Sequence, residues 1–203
     1  AVYVDSSTAP LTITGTQFIS NTSFAYGGGA YGYGPVAVTN ALFQGNMASI
    51  NQGGGLFARS SSTPALVTGS RFINNIAGDF GGGLSANNDM TVVDSTVFGN
   101  RSSQSGGGVY GTGVLTLNRV DVISNTGTTG GGVTALDTLV MTNVNVLSNT
   151  PASSYGGGVY ATNAVRITGS AFRNNTITAV NSAKGSGLYA NSTTAPVFVS
   201  ANS

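Results

Sequence analysis

Short runs of alternating apolar and polar residues recur along this chain at a spacing of about 26 residues. Examples are Leu11–Thr14, Val36–Thr39, Leu115–Leu117 and Val165–Thr168. Period-two alternation is the pattern of a β-strand with one buried face, so each run predicts a short strand. The 3.6-residue period of an amphipathic helix does not occur, which argues against a helical repeat.

Two sequence marks repeat in phase with these strands. The first is a glycine triplet, found at 27–29, 53–55, 81–83, 106–108, 130–132 and 156–158 and continued by Gly185-Ser186-Gly187. The second is an apolar residue followed three positions later by asparagine; the asparagines are Asn21, Asn46, Asn75, Asn100, Asn125, Asn149 and Asn175. The segment after each triplet and the segment before each asparagine predict two more strands, so each repeat contains three.

Three short strands cannot bury an apolar face by themselves, whereas stacking one repeat on the next can. Equivalent residues then lie about 4.8 Å apart, the spacing of neighbouring strands. The sequence therefore predicts an all-β fold, a right-handed parallel β-helix of about seven to eight rungs, with residues 1–203 forming one repeat array. The hand follows the usual right-handed connection between parallel strands. A β-propeller fits less well, because its blades need about 40 residues or more.

The repeat register predicts three apolar stacks in the core. They are Val2, Ala30, Leu56, Leu84, Val109, Val133, Val159 and Leu188; Ile13, Val38, Val67, Val92, Leu117, Met141 and Ile167; and Phe18, Phe43, Phe72, Val97, Val122, Val146 and Phe172. The repeated asparagines are predicted to end their strands in left-handed geometry and to form a ladder of amide hydrogen bonds. The glycine triplets predict tight corners.

Alternation also predicts an outward residue on each strand that follows a triplet, and six of these eight positions are aromatic. They are Tyr3, Tyr31, Phe57, Tyr110, Tyr160 and Tyr189; Ser85 and Thr134 fill the other two. An exposed aromatic stripe could stack on sugar rings or pack against another chain. Alternatively, the rings could stabilise the ladder by cross-strand stacking or lie under a loop.

A second outward column, on the strands that precede the asparagines, is apolar. Its members are Ile19, Ile73, Phe98, Ile123 and Leu147. This composition favours lateral packing or a covering segment over sugar binding. The other interpretation is that the strand bends and half-buries these side chains.

Composition and charge narrow the chemistry further. The chain has no His, Cys, Trp or Glu, and its net charge is +1. Without His or Cys, a Ser-His-Asp triad, thiol chemistry and the usual zinc sites are excluded, and we expect no metal or cofactor. The low charge argues against nucleic-acid binding, and no apolar run reaches the roughly 18 residues of a membrane helix.

Asp94 and Asp121 are the candidates for enzyme chemistry, because the repeat places them on adjacent rungs, two positions apart. Strand geometry separates them by roughly 8 Å, within the range of an inverting glycosidase pair. However, Arg119 stacks directly on Asp94 in this register, so a structural ion pair between rungs explains the same residues. A polysaccharide-degrading enzyme is therefore an alternative rather than the main prediction.

The glycine-rich mark paired with Phe-x-x-Asn resembles the repeat of the chlamydial-type polymorphic outer-membrane proteins and of related bacterial surface proteins. This resemblance spans the chain and implies a right-handed β-helix in a secreted or surface-displayed adhesin or structural protein. The segment from Val2 to Leu11 also aligns with that from Leu188 to Val197, and neither end carries an obvious cap. We therefore expect the rungs to continue into a longer solenoid or to stack on copies of the chain in a filament.

The main prediction is a non-enzymatic structural or adhesive module of an extracellular surface protein or fibre. Its expected partners are copies of itself or adjoining rungs, with surface glycans as a further possibility. A carbohydrate-binding module that uses the aromatic stripe is the first alternative.

Overall fold

The computed structural model describes residues 1–59, 63–153, 155–178, 183–192 and 195–201. Over these ranges the chain is all-β and contains no helix. It winds through about seven turns, and each full turn adds one strand to each of four parallel sheets. The predicted parallel β-helix is confirmed.

The four sheets are numbered in the order in which the chain visits them, and the strands β1–β29 are numbered along the chain. Sheet 1 contains β1 (Val2–Val4), β5 (Ala30–Gly32), β9 (Leu56–Ala58), β13 (Leu84–Ala86), β17 (Val109–Gly111), β21 (Val133–Ala135), β25 (Val159–Ala161) and β28 (Leu188–Ala190). Sheet 2 contains β2 (Leu11–Thr14), β6 (Val36–Thr39), β10 (Ala65–Thr68), β14 (Met90–Val93), β18 (Leu115–Asn118), β22 (Leu139–Thr142), β26 (Val165–Thr168) and β29 (Val197–Ser200).

The asparagine-containing side of the solenoid is formed by the other two sheets. Sheet 3 contains β3 (Gln17–Ile19), β7 (Leu42–Gln44), β11 (Arg71–Ile73), β15 (Thr96–Phe98), β19 (Asp121–Ile123), β23 (Asn145–Leu147) and β27 (Ala171–Arg173). Sheet 4 contains β4 (Thr22–Ser23), β8 (Met47–Ala48), β12 (Ile76–Ala77), β16 (Arg101–Ser102), β20 (Thr126–Gly127) and β24 (Thr150–Pro151).

The strands pair in the register that the repeat predicts, so like residues lie above like along the axis. In sheet 3, for example, Phe72 pairs with both Phe43 and Val97. The rings of Phe18 and Phe43 stack at 4.8 Å between centroids, and those of Phe43 and Phe72 at 4.7 Å. The three predicted stacks form the buried core, and only members at the ends, such as Val2, are more exposed.

Sheet 4 is absent from the sequence prediction, which gave three strands per repeat. Its strands are two residues long, too short for alternation to be recognised. The second residue of each is small or compact and mostly buried, as at Ala48, Ala77 and Gly127. The backbone of this sheet packs against the middle glycine of each triplet: a Cβ on Gly54 would lie 2.4 Å from the Ile76 carbonyl oxygen. The middle glycine is therefore required by close backbone packing.

Left-handed backbone conformations occur at three places in the repeat: a first corner after sheet 2, a second corner after sheet 3, and the first glycine of each triplet. Residues with positive φ at the first corner include Gly15, Asn40, Gly69, Asp94, Arg119, Asn143 and Gly169. At the second corner they are Ser20, Gly45, Asn74, Gly99, Ser124, Ser148 and Asn174. The left-handed residue thus precedes each repeated asparagine, and the prediction that the asparagine itself adopts this geometry is wrong. The asparagine is needed for its side chain instead.

Candidate functional site

The seven repeated asparagines form a continuous column of hydrogen-bonded amides inside the corner between sheets 3 and 4. Asn75 is representative: its Nδ2 donates to Oδ1 of Asn100 at 2.9 Å and to the carbonyl oxygen of Phe43 at 2.9 Å. Its Oδ1 accepts from the backbone N–H and the Nδ2 of Asn46, at 2.9 and 3.0 Å. Each amide donor and the acceptor are therefore satisfied, as burial of a polar group requires.

This asparagine ladder runs from Asn21 to Asn175, and Asn46, Asn75, Asn100, Asn125 and Asn149 are fully buried. The third glycine of each triplet lies beside it: a Cβ on Gly108 would be 3.0 Å from Cγ of Asn125. Because its five central members are fully buried, the ladder is a structural element that links successive rungs.

The outward aromatic positions of sheet 1, termed the aromatic column, are largely covered, so of the two interpretations that the sequence allowed, an open stripe does not hold along the whole column. Tyr31, Phe57 and Tyr110 are buried, as are Ser85 and Thr134. Burial raises the pKa of Tyr110 above its ordinary value. These three aromatic residues therefore cannot form a free sugar-binding surface, which corrects the prediction.

The covering groups are the residues immediately before the glycine triplets, termed the pre-glycine residues. Tyr26 lies over Phe57 of the next rung at 5.3 Å between ring centroids, and Phe80 stacks on Tyr110 at 4.6 Å. Where the outward residue is Ser85, its Oγ donates to Oε1 of Gln52 at 2.8 Å. The pre-glycine residue of one rung thus covers the outward residue of the next.

The first glycine of each triplet makes this covering possible. Gly27 has a φ of 56°, and a Cβ there would lie 2.2 Å from the Ala30 carbonyl oxygen and 2.9 Å from Cβ of Tyr31. The chain therefore folds back tightly over sheet 1. Sequence reasoning placed the aromatic positions correctly on the outer side of the strand, but it did not identify the segment that covers them.

The aromatic column is accessible only in part. Tyr3 is 59% exposed and stacks on Tyr31 at 4.3 Å, while Tyr160 and Tyr189 are half-buried. Tyr155, Tyr160, Tyr189 and Asn191 line an open pocket of about 270 Å³. Two of the predicted binding residues, Tyr160 and Tyr189, thus line the same pocket.

The apolar column of sheet 3 remains on the surface. Ile19 is 50% exposed and Phe98 is 40% exposed, while Ile73, Ile123 and Leu147 are half-buried. They follow one another in register, with Gln44 between Ile19 and Ile73. Two exposed residues of sheet 4, Met47 and Ile76, continue this apolar surface around the next corner. Neighbouring exposed apolar side chains of this kind are a feature of contact sites.

Asp94 is held by Arg119 in a two-pronged ion pair between rungs. Nε of Arg119 lies 2.5 Å from Oδ1 of Asp94, and Nη2 donates to Oδ2 at 2.9 Å. The hydrogen bonds from Arg119 lower the pKa of Asp94. A general acid in glycoside hydrolysis needs a raised pKa, so this environment is opposite to the one that role requires.

Asp121 faces outward on β19, where its Oδ1 accepts a hydrogen bond from Nδ2 of Asn145 at 2.8 Å. Its strand neighbours in sheet 3 are Thr96 and Asn145. Over the described ranges, no group of three or more His, Cys, Asp or Glu side chains is arranged to hold a metal ion.

Comparisons with protein-family models, with curated proteins and with solved structures returned no match to this chain. The part of the chain that the structure describes includes no apolar helix of the length that a membrane crossing requires.

Proposed function

We propose that this chain is a non-enzymatic structural and adhesive module of an extracellular surface protein or fibre. The observation that carries the proposal is the continuity of its internal supports. The apolar core and the asparagine ladder run from rung to rung, and each rung hydrogen bonds to the next through parallel sheets. The interior side chains stabilise the solenoid, and the side chains on its outer faces are the ones that can contact a partner.

The proposed role requires two kinds of contact, one along the axis of the solenoid and one between neighbouring solenoids. Parallel strands leave unpaired backbone groups at the edge of a sheet, and these groups pair readily with another strand, so rungs can be added along the axis. Lateral contacts would use the apolar column of sheet 3, together with Met47 and Ile76. The partner along the axis is a second copy of the chain or an adjoining rung of a longer one, and the lateral partner is a second copy.

The motif resemblance to chlamydial-type surface proteins supports the extracellular placement by analogy. Low charge and the lack of cysteine agree with a rod that needs no redox control. Labelling of intact source cells with an antibody to this chain tests the placement. Labelling that appears only after the cells are lysed would contradict it.

Electron microscopy and size measurement of the purified chain test the assembly. We expect ordered rods or bundles, and we expect Phe98→Asp to separate bundles into single rods because it places a charge in the apolar column. Leu66→Asp is the matched control, since Leu66 is 47% exposed on sheet 2 but lies between Ala37 and Thr91 in its ladder. A wild-type chain that stays monomeric would count against the assembly.

The enzyme alternative has its own test, because sugar release from a polysaccharide does not require assembly. Release by the wild-type chain that is lost in Asp121→Asn would replace the structural proposal with a hydrolytic one. Release that is unchanged in this variant would have to be attributed to another group or to a contaminant.

A further inference from the structure

The pocket beside Tyr160 occurs where the covering pattern of the aromatic column is interrupted. Phe57 and Tyr110 each lie under an aromatic pre-glycine residue of the preceding rung. For Tyr160, that position is Thr129, whose hydroxyl lies 3.4 Å from the Ser153 hydroxyl. Threonine is too short to cover a phenol ring, so Tyr160 stays half-buried while Phe57 and Tyr110 are buried.

The walls of this pocket are tyrosine rings, and the polar groups around it are the tyrosine hydroxyls and the Asn191 amide. The rings of Tyr155 and Tyr189 lie 5.4 Å apart and are inclined by 26°, and those of Tyr160 and Tyr189 lie 5.8 Å apart and are inclined by 40°. The Tyr189 hydroxyl is 3.5 Å from Oδ1 of Asn191. Tyrosine offers an apolar ring face together with a hydroxyl that can donate or accept.

A cation lies beside the same rings. Nζ of Lys184 is 5.9 Å from the centroid of Tyr155 and 5.8 Å from that of Tyr189. In the described part of the chain, the salt bridge that forms joins Arg119 to Asp94. No described carboxylate lies within ion-pair distance of Lys184. The ammonium group is therefore available to an anionic group of a ligand.

We propose that this pocket binds one pyranose ring that carries a carboxylate, such as a hexuronic acid. The C–H face of the ring would lie on the tyrosine rings, its hydroxyls would meet the phenol and amide groups, and its carboxylate would meet Lys184. A volume of about 270 Å³ lies just below the usual range of ligand pockets, roughly 300–1,000 Å³. A single sugar unit suits this volume better than a longer oligosaccharide. This inference does not depend on the structural role proposed above.

The experiment is an NMR titration of the full chain with methyl glucuronide and, in parallel, with the neutral methyl glucoside. We expect the acidic glycoside to shift the Tyr155, Tyr160 and Tyr189 signals and to bind more tightly than the neutral one. Tyr160→Ala should weaken binding by about tenfold or more, which corresponds to about 1.4 kcal/mol. Lys184→Gln should remove most of the difference between the two glycosides. Arg101→Gln is the control for loss of an exposed positive charge elsewhere.

A second variant tests the site without removing a wall of the pocket. Thr129→Phe should restore the cover that Phe80 provides over Tyr110, and so block binding in a chain that remains folded. Failure of the folded wild type to bind either glycoside would overturn the site. Equal binding of the two glycosides would overturn the assignment to acidic sugars, and unchanged binding in folded Thr129→Phe or Tyr160→Ala would overturn the location.

Discussion

The carboxamides of Asn75 and Asn100 lie on successive rungs, and Nδ2 of Asn75 donates to Oδ1 of Asn100 at 2.9 Å. The same Nδ2 reaches the Phe43 carbonyl oxygen on the other side. One side chain therefore connects three rungs, and its loss removes the partner of two buried groups on the preceding rung, the Asn46 backbone N–H and the Phe43 carbonyl oxygen.

Asn75→Ala should consequently lower the free energy of unfolding by about 3 kcal/mol or more, since each unpaired buried group costs about 1–3 kcal/mol. Urea unfolding followed by circular dichroism measures this change. The exposed Asn87 provides the control, and Asn87→Ala should change stability by no more than about 0.5 kcal/mol. Similar effects of the two substitutions would contradict the role of the ladder.

Gly54→Ala should be strongly destabilising, because its Cβ would lie 2.4 Å from two carbonyl oxygens, those of Gly82 and Ile76. Both belong to backbone, which cannot move aside as a flexible side chain can, so we expect a cost of about 3 kcal/mol or more. Gly15→Asn is the comparison: Gly15 has positive φ but open space around it, and the same corner holds Asn40. Thermal unfolding should show a large loss for Gly54→Ala and little change for Gly15→Asn.

Phe80→Ala should lower the pKa of Tyr110 towards 10, because the raised value comes from burial beneath the Phe80 ring. A tyrosine with a raised folded pKa stabilises the fold below pH 10 and loses that contribution as the pH rises through the folded value. The alkaline loss of stability due to this group should therefore be smaller in the variant. Ultraviolet titration of tyrosine ionisation measures the shift, and Phe24→Ala, at a side chain that is 77% exposed, should leave it unchanged.

Arg119→Ala should raise the pKa of Asp94 back towards its ordinary value, because hydrogen bonds from Arg119 hold it down. Because the pKa of Asp94 is lower in the folded state than in the unfolded state, its ion pair stabilises the fold above the unfolded pKa of about 3.9. This stabilisation is lost as the pH falls through the folded pKa. The stability difference between wild type and Asp94→Asn should therefore shrink in acid. NMR titration of the Asp94 carboxyl carbon measures the pKa directly, and an unchanged value in Arg119→Ala would contradict the pairing.

The fold could be predicted from the sequence because the repeat fixes the register. Once Phe43, Phe72 and Val97 are recognised as equivalent, the core stacks and the position of the asparagines follow. The two-residue strands of sheet 4 could not be predicted in this way, because two residues carry no alternation. The left-handed corner after sheet 3 was assigned one residue too late, since serine, glycine and asparagine share that position and obscure its common geometry.

The candidate site was harder to predict than the fold. Alternation correctly placed Tyr31 and Tyr110 on the outer side of their strands, but exposure depends on what packs over that side. The covering residues Tyr26 and Phe80 lie across a left-handed glycine and act on the following rung, about 30 residues away in sequence. A comparison of pre-glycine residues with outward residues one rung later could have revealed the matched pairs.

Where the preceding turn covers an outward side chain, as Phe80 covers Tyr110, the two residues must match each other across a turn boundary. Deleting one complete turn would preserve the stacks and the hydrogen-bonded sheets, yet it would bring together a cap and a side chain that were never fitted to each other. If the turn from 81 to 105 were removed, for example, Gln52, which has no aromatic ring, would have to cover Tyr110 in place of Ser85. Insertion or deletion of whole repeats would therefore leave a mismatched pair at each junction. The outward side chain there would be either left uncovered, which opens a cleft, or crowded by a cover that is too large.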